Sequence, residues 1–380
     1  MVTIRSRIIR TAVIALFAFL GPLALRSSPF FVTAEIPERL SDKAFWNMFT
    51  DFSEEGGYFR SDNFVSNETT FQWVLKDLKN AKSGGVYLGV GPDQNFTYIT
   101  NLRPRLAIIV DIRRQNAMQH LMYKALIEMS SDRADFVSKL FSRKRPENMG
   151  SEYTAEELFA AYSNVPPDRQ LYLENLQAIK NHLLEQHQFK LSAEDAASIQ
   201  YIYSSFYFGG PDITYNGAGG GYGRSRMPSY AEMTATTDEE GLNRSYLGTE
   251  EHFEILQDYQ RRNLIVPIVG DFAGPKAIRA ISSYLKQNDA FVSVFYLSNV
   301  EQYLFQQGDD WNRFYKNVEV LPLDATSAFV RSVFNGQSVK YQPSPFNLRS
   351  ASLSSSIPAL LSSLSAGGIR TYDDVIEMSK

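Results

Sequence analysis

The stretch Gly84–Asn116 constrains the fold most, because it sets two short apolar runs around a glycine turn and a helix-length spacer. Val86 to Val90 is the kind of apolar run that fits a strand buried on both faces of a parallel sheet. Gly89 and Gly91 allow a sharp backbone turn with room for a ligand against it. Pro92 stops the strand, and Asp93 or Asn95 is placed to cap the helix that follows. Leu106 to Val110 is a second β-rich run, with Asp111 at its carboxyl end. Ligands of open α/β sheets bind outside that edge, and a ribose with two free hydroxyls takes a carboxylate about 20 residues after the glycine turn. Asp111 stands 22 residues after Gly89 and 20 after Gly91.

The turn reads G-V-G-P-D-Q, so Gln94 occupies the place of the third glycine of a dinucleotide fingerprint. The stretch resembles instead the class I S-adenosylmethionine-dependent methyltransferase superfamily. The resemblance implies a Rossmann-like sheet, S-adenosylmethionine as cofactor, Gly89 and Gly91 at its amino-acid end and Asp111 on its ribose. One position departs from the pattern: where such families often carry an acid, two residues before the first glycine, this chain has Tyr87. The bland alternative is an ordinary βαβ unit with a glycine turn and no cofactor.

The chain has 380 residues and a net charge of -4, so no basic field draws it to nucleic acid. It contains no cysteine, which excludes disulfides, zinc–thiolate sites and thiol nucleophiles. Its 26 Phe and 21 Tyr point to thick cores or an aromatic-lined pocket. Residues 1–34 have the layout of a signal peptide: Arg5, Arg7 and Arg10 precede the apolar run Thr11 to Leu25, and Val32-Thr33-Ala34 suits cleavage before Glu35. The expectation is export to the periplasm or outside; an uncleaved anchor, as the only membrane contact, is the second reading and organelle import the third.

Leu40 to Phe52 reads as an amphipathic helix. The loop after it offers Tyr58, Arg60, Asp62 and Asn63 to a ligand, or else is a surface loop held by Phe59 and Phe64, and a helix spans Thr69 to Leu78. Residues 35–131 thus hold the amino-terminal helices and the first βαβ. Residues 132–248 read as a helical insertion: Arg133 to Ser142, Thr154 to Tyr162, Asp168 to His187 and Ala193 to Tyr207. His120 reads as structural. His182 and His187, five apart, do not share an α-helical face, so no metal site is expected. The segment 209–229 holds seven glycines and is either a mobile linker or a lid carrying Asp212, Tyr215 and Arg224.

Residues 249–380 complete the sheet and end in helices Ile357 to Leu364 and Thr371 to Met378. Strands are expected at 86–90, 106–110, 264–269, 291–297 and 318–323, giving an α/β, doubly wound, mostly parallel sheet with a large helical insertion. Asp271 follows the third strand. Methyltransferase-like sheets face the reacting methyl group near that edge, so the resemblance makes Asp271 the candidate catalytic residue, with a helix cap as the equal alternative. Ser298-Asn299-Val300-Glu301 and Asp324 end the next two runs. The chain also resembles a family of exported bacterial proteins, through FRSDNFVSNE, YLGVGPDQNFTYI and LIVPIVGDFAGPKAIRA. Two readings follow: a methyltransferase-like enzyme of unknown substrate, or an exported binding or scaffold protein that keeps the fold and a small-molecule ligand.

Overall fold

Six strands form one sheet in a computed structural model that describes residues 35–81, 83–147, 149–217, 227–334 and 349–380. The described residues belong to one unit. Residues 1–34 and Arg224 lie outside them. The strands are β1 (Val86–Gly89), β2 (Leu106–Asp111), β3 (Ile265–Val269), β4 (Val292–Ser298), β5 (Leu323–Phe334) and β6 (Ser350–Ser356). Their order is β3-β2-β1-β4-β5-β6. All pairs are parallel except β5–β6. This is an α/β architecture with a mostly parallel sheet, compatible with a Rossmann-like fold.

The central strands are apolar because no face of them meets water: every residue of β1, β2 and β3 is buried. Gly89 is level with Ile109, and Asp111 with Val269. The register therefore brings the carboxyl ends of β1, β2 and β3 to a common rim. The chain leaves β1 toward β2 on one side and returns to its other side as β4, so the strand order reverses beside β1.

The helices are α1 (Asp42–Phe52), α2 (Gln94–Leu102), α3 (Arg114–Met129), α4 (Arg133–Phe141), α5 (Ala155–Ser163), α6 (Arg169–Asn181), α7 (Ala193–Gly209), α8 (Tyr230–Ala235), α9 (Glu250–Arg261), α10 (Ala277–Gln287), α11 (Val300–Phe305), α12 (Asp310–Glu319), α13 (Ile357–Ser365) and α14 (Tyr372–Glu377). Helices α3 to α9 lie between β2 and β3, and α4 to α8 fall within the segment 132–248. Thr154 and Ser192 start α5 and α7 with reciprocal capping boxes. Among the described residues, no helix is long and apolar enough to cross a membrane.

Four sequence expectations are corrected here. The strand expected at 318–323 is the end of α12 and a turn, because Trp311, Phe314, Tyr315 and Val318 repeat with helical spacing and the last three are buried. Asp324 consequently lies near the start of β5, where it accepts from the Thr326 amide at 2.7 Å. The helix expected at Thr69–Leu78 is a 3-10 helix, Trp73–Asn80. Neither Asp93 nor Asn95 caps α2 with its side chain: Asn95 folds back onto the carbonyls of Val90, Gly91 and Pro92, and Asp93 turns to Tyr246. Finally, α6 passes into a π turn, His182–Gln186, closed by the His187 amide on the His182 carbonyl at 3.1 Å. That widened turn sets His182 and His187 on the same side, where an α-helix would have separated them.

Candidate functional site

A cavity of about 650 Å³ opens at the carboxyl edge of the sheet, a size within the range that takes small molecules. Each of four strand ends contributes to it: Gly91 and Pro92 after β1, Asp111 and Arg113 at β2, Gly270 and Asp271 after β3, Ser298 and Asn299 at β4. The loop after α1 supplies one wall with Tyr58, Phe59, Arg60, Asn63 and Glu68, and Tyr215, Tyr303 and Leu304 line it as well. That loop is fixed to the rim by backbone bonds, Glu54 to Val269 at 2.8 Å and Gly57 to Ile112 at 2.7 Å. Gly57 admits no side chain, since a Cβ would lie 2.7 Å from Ile112.

The two glycines of the turn have different jobs. Gly91 has φ +79, and a Cβ there would meet only Asn63 at 3.8 Å, so the place a side chain would take is open. Gly89 is covered by the protein itself: a Cβ would lie 2.0 Å from Asn95 Oδ1 and 2.8 Å from the Tyr87 ring. The Tyr87 hydroxyl donates to that same Asn95 oxygen at 2.9 Å. Gly91 is thus available to a ligand, and Gly89 makes room for the asparagine that braces the turn.

His120 supports the turn from below, with Nε2 2.9 Å from the Gly91 carbonyl. The ring is buried and its Nδ1 has no partner among the described residues, so the neutral tautomer carries its proton on Nε2. Burial pulls its pKa down to about 4. An NMR titration of the ring protons checks this: His120 holds one set of shifts from pH 8 to about 5, whereas His187, whose pKa is raised against burial by bonds to Glu128 and Asp42, titrates above the ordinary histidine range.

Asp111 is buried at the rim and held by Arg113. Its Oδ1 accepts from the Arg113 amide at 2.8 Å and from Nε at 3.0 Å, and Oδ2 accepts from Nη2 at 2.7 Å. Burial opposes the Arg113 charge, but Asp111 more than offsets it and the guanidinium pKa is raised. A carboxylate offers about four acceptor positions. Three are filled by Arg113, so Asp111 retains capacity for one further donor. Arg113 also reaches the carbonyls of Ser61 and Asp62, tying β2 to the loop.

Asp271 lies at the cavity rim and also closes a local turn. Its Oδ1 accepts from the Ala273 amide at 2.9 Å, closing the turn before α10, and the residue lines the cavity. Burial pushes its carboxyl upward, with Glu54 and Asp310 adding to the effect against the Ala273 bond. The cap of α10 itself comes from Glu54, whose carboxylate accepts from the amides of Asp271, Lys276 and Ala277.

The residue that sequence reasoning missed is Glu68. It is buried, lines the cavity, and is held by four donors: Gln94 and Tyr296, each at 2.8 Å, with Ser298 and Ser332. Among the described residues, three of these converge on Oε2 and Ser298 alone on Oε1, which leaves Oε1 the freer oxygen. Nothing in its local sequence marks it; its partners come from residues 26 to 264 positions away. Of the other candidates, Tyr58, Arg60, Asn63, Tyr215, Ser298 and Asn299 line the cavity. Asp62 accepts instead from Gln115 and Tyr201, Asp212 is exposed away from the lining, and Glu301 turns into the core to pair with Arg331.

A family model described as "Domain of unknown function (DUF7790)" matches residues 63–362, and so spans every strand and most of the cavity wall. Among curated proteins, none matches the chain. With the greater part of its length covered by that one match, the chain belongs to the DUF7790 family.

Proposed function

We propose that the cavity binds a nucleoside-bearing small molecule of the S-adenosylmethionine type, and that the chain is a methyltransferase-like protein. The observation that carries this reading is that Gly91, Asp111 and Asp271, from three strand ends, share one cavity beside the point where strand order reverses. The residues present fit such a group in part. Gly91 leaves a face open for it, and Asp111 has acceptor capacity for one ribose hydroxyl. Gly89 has no open face, so the ligand lies along Gly91 and Pro92 only. The missing acid at Tyr87 has a counterpart in Glu68, whose buried carboxylate is on the same rim and suits an ammonium or hydroxyl donor.

When bound, S-adenosylmethionine would supply an electrophilic methyl group. The chain's own contribution is placement: Asp111 and Arg113 fix one end, Glu68 receives a donor, and Phe59, Tyr296 and Tyr303 offer apolar wall. Asp271, with its carboxyl pushed upward, is suited to hold or accept a proton from a substrate entering over β3.

A second reading is favoured by the Asp111–Arg113 pair and by the coverage of Gly89. Both reduce the grip that a methyltransferase turn has on its cofactor, and both fit a binding protein without catalysis, consistent with an exported chain. Calorimetry with S-adenosylmethionine and S-adenosylhomocysteine tests the first reading. Binding is expected, weakened about 10-fold or more in Asp111→Asn, which removes a charged acceptor. No heat at millimolar ligand overturns it. Binding with no methyl transfer to any nucleophile tried leaves the second.

A further inference from the structure

Away from the cavity, Glu128 near the end of α3 meets the π turn after α6. Its Oε2 faces Nε2 of both His182 and His187, at 2.6 and 2.7 Å. One ligand atom from each of the three residues lies within 4.8 Å of the others. Around them, His187 Nδ1 meets Asp42 Oδ1 at 2.6 Å, and Asn263 holds that oxygen at 2.9 Å. Lys124 takes the other Glu128 oxygen at 2.5 Å. The two imidazoles meet edge to face, and His187 stacks on Phe189, so both rings are fixed.

We propose that Glu128, His182 and His187 form a site for one divalent cation of the zinc type. Two imidazole nitrogens and one carboxylate oxygen are a donor set that suits zinc, cobalt or nickel better than magnesium or calcium. The Asp42 carboxylate on the far nitrogen of His187 is the outer partner that fixes a ligating imidazole, leaving Nε2 free to face the metal. The π turn gives the third argument. It interrupts a regular helix at the one place where doing so brings two histidines onto a common carboxylate.

Bonds near 2.0–2.1 Å in a tetrahedral site set ligand atoms about 3.3 Å apart, so each ring swings outward by roughly 0.6 Å when the ion enters. The ion replaces the protons between nitrogen and oxygen, and those protons leave to solvent. Lys124 remains on Oε1, so Glu128 binds through one oxygen and water completes the shell. The histidine side chains are 10% and 12% exposed and Asp42 44%, which gives the ion a way in. Helix α3 runs from the cavity rim to this cluster, about 20 Å at 1.5 Å per residue. The metal therefore clips α1, α3 and the π turn together and takes no part in the chemistry of the cavity.

The test uses the full chain, stripped with a chelator and titrated with Zn²⁺ by calorimetry and with Co²⁺ by visible absorption. One ion per chain is expected, with a four-coordinate cobalt band and an upward shift in Tm. His182→Gln and His187→Gln abolish the band, and Asp42→Asn weakens binding roughly 10- to 100-fold. His252→Gln, whose ring contacts the Ser245 carbonyl, leaves it unchanged. Failure of the wild-type chain to bind Zn²⁺ at millimolar concentration overturns the proposal, as does equal binding by the His182→Gln/His187→Gln chain. Should those variants not fold, nitrogen NMR of the wild type decides: Zn²⁺ shifts confined to Nε2 of His182 and His187 support the site, and shifts elsewhere or none refute it.

Discussion

Arg331→Met lowers the unfolding free energy by about 3–5 kcal/mol, the cost of leaving one member of a buried ion pair without its partner. Arg331 and Glu301 are both sealed from water, with Nε 2.6 Å from Oε2 and Nη2 3.3 Å from Oε1. Burial works against the guanidinium charge, and Glu301 more than restores it, so its pKa is raised. Tyr315 donates to Glu301 at 2.7 Å, and Ser355 and Ser379 accept from Arg331. The pair thereby joins α11, α12, β5, β6 and the carboxyl terminus. Removing Arg331 strands the Glu301 carboxylate in this shell; removing both charges, in Arg331→Met/Glu301→Leu, recovers most of the loss. Urea unfolding of the three chains measures it. A single-variant loss below about 1 kcal/mol would show that water or rearrangement rescues the lone carboxylate.

The pair also bears on the cavity, because Glu301 follows directly on Ser298, Asn299 and Val300, which line it. A change in the core at Glu301 therefore reaches the rim through three residues of backbone. Ligand affinity is expected to fall in Arg331→Met along with stability.

Asp93→Asn stabilises the chain by up to about 4 kcal/mol above pH 7 and leaves it unchanged near pH 3. Asp93 is buried beside a void of about 20 Å³, roughly one water in size, and accepts from the Tyr246 hydroxyl at 2.9 Å. Burial raises its carboxyl to about 7, against the pull of Tyr246. The folded chain thus keeps the proton while the unfolded chain loses it near pH 3.8. Stability from this group is complete below that point and is lost as pH rises toward 7. His120 acts in the opposite sense: with its folded pKa at about 4, its contribution is complete above pH 6.5 and is lost as pH falls toward 4. The two oppose one another in the wild type, each by about 3 kcal/mol between pH 4 and 6.5. In Asp93→Asn the histidine is no longer opposed by that carboxyl, so stability rises between pH 4 and 6.5 by about 3 kcal/mol more than in the wild type. Thermal unfolding at half-unit pH intervals checks both arms. An Asp93→Asn chain whose stability runs parallel to the wild type's across that range contradicts the opposition.

How much of this was legible in the sequence depends on whether a residue's role is set locally. β1 to β4 were readable because strands buried on both faces are continuous apolar runs, and the spacing of Gly91 and Asp111 follows from one βαβ unit. β6 was not, because the serines of 350–356 have no apolar run to read, and pairing with Ala328–Phe334 of β5 makes them a strand. The π turn was invisible to a 3.6-residue period, and applying that period separated His182 from His187, whose Nε2 atoms the fold brings to one Glu128 oxygen. Glu54 and Glu68 are acids in a loop with no local pattern around them. Only tertiary structure brings the amides of α10 to one and the hydroxyls of Tyr296, Ser298 and Ser332 to the other.

Hydrogen–deuterium exchange of the full chain with saturating S-adenosylhomocysteine tests most directly whether the four strand ends grip one small molecule. Slowed exchange confined to the segments around 58–68, 90–93, 111–113, 270–272 and 298–300 is the expected result. Unchanged exchange there, or protection only in segments remote from the sheet's carboxyl rim, would contradict the account.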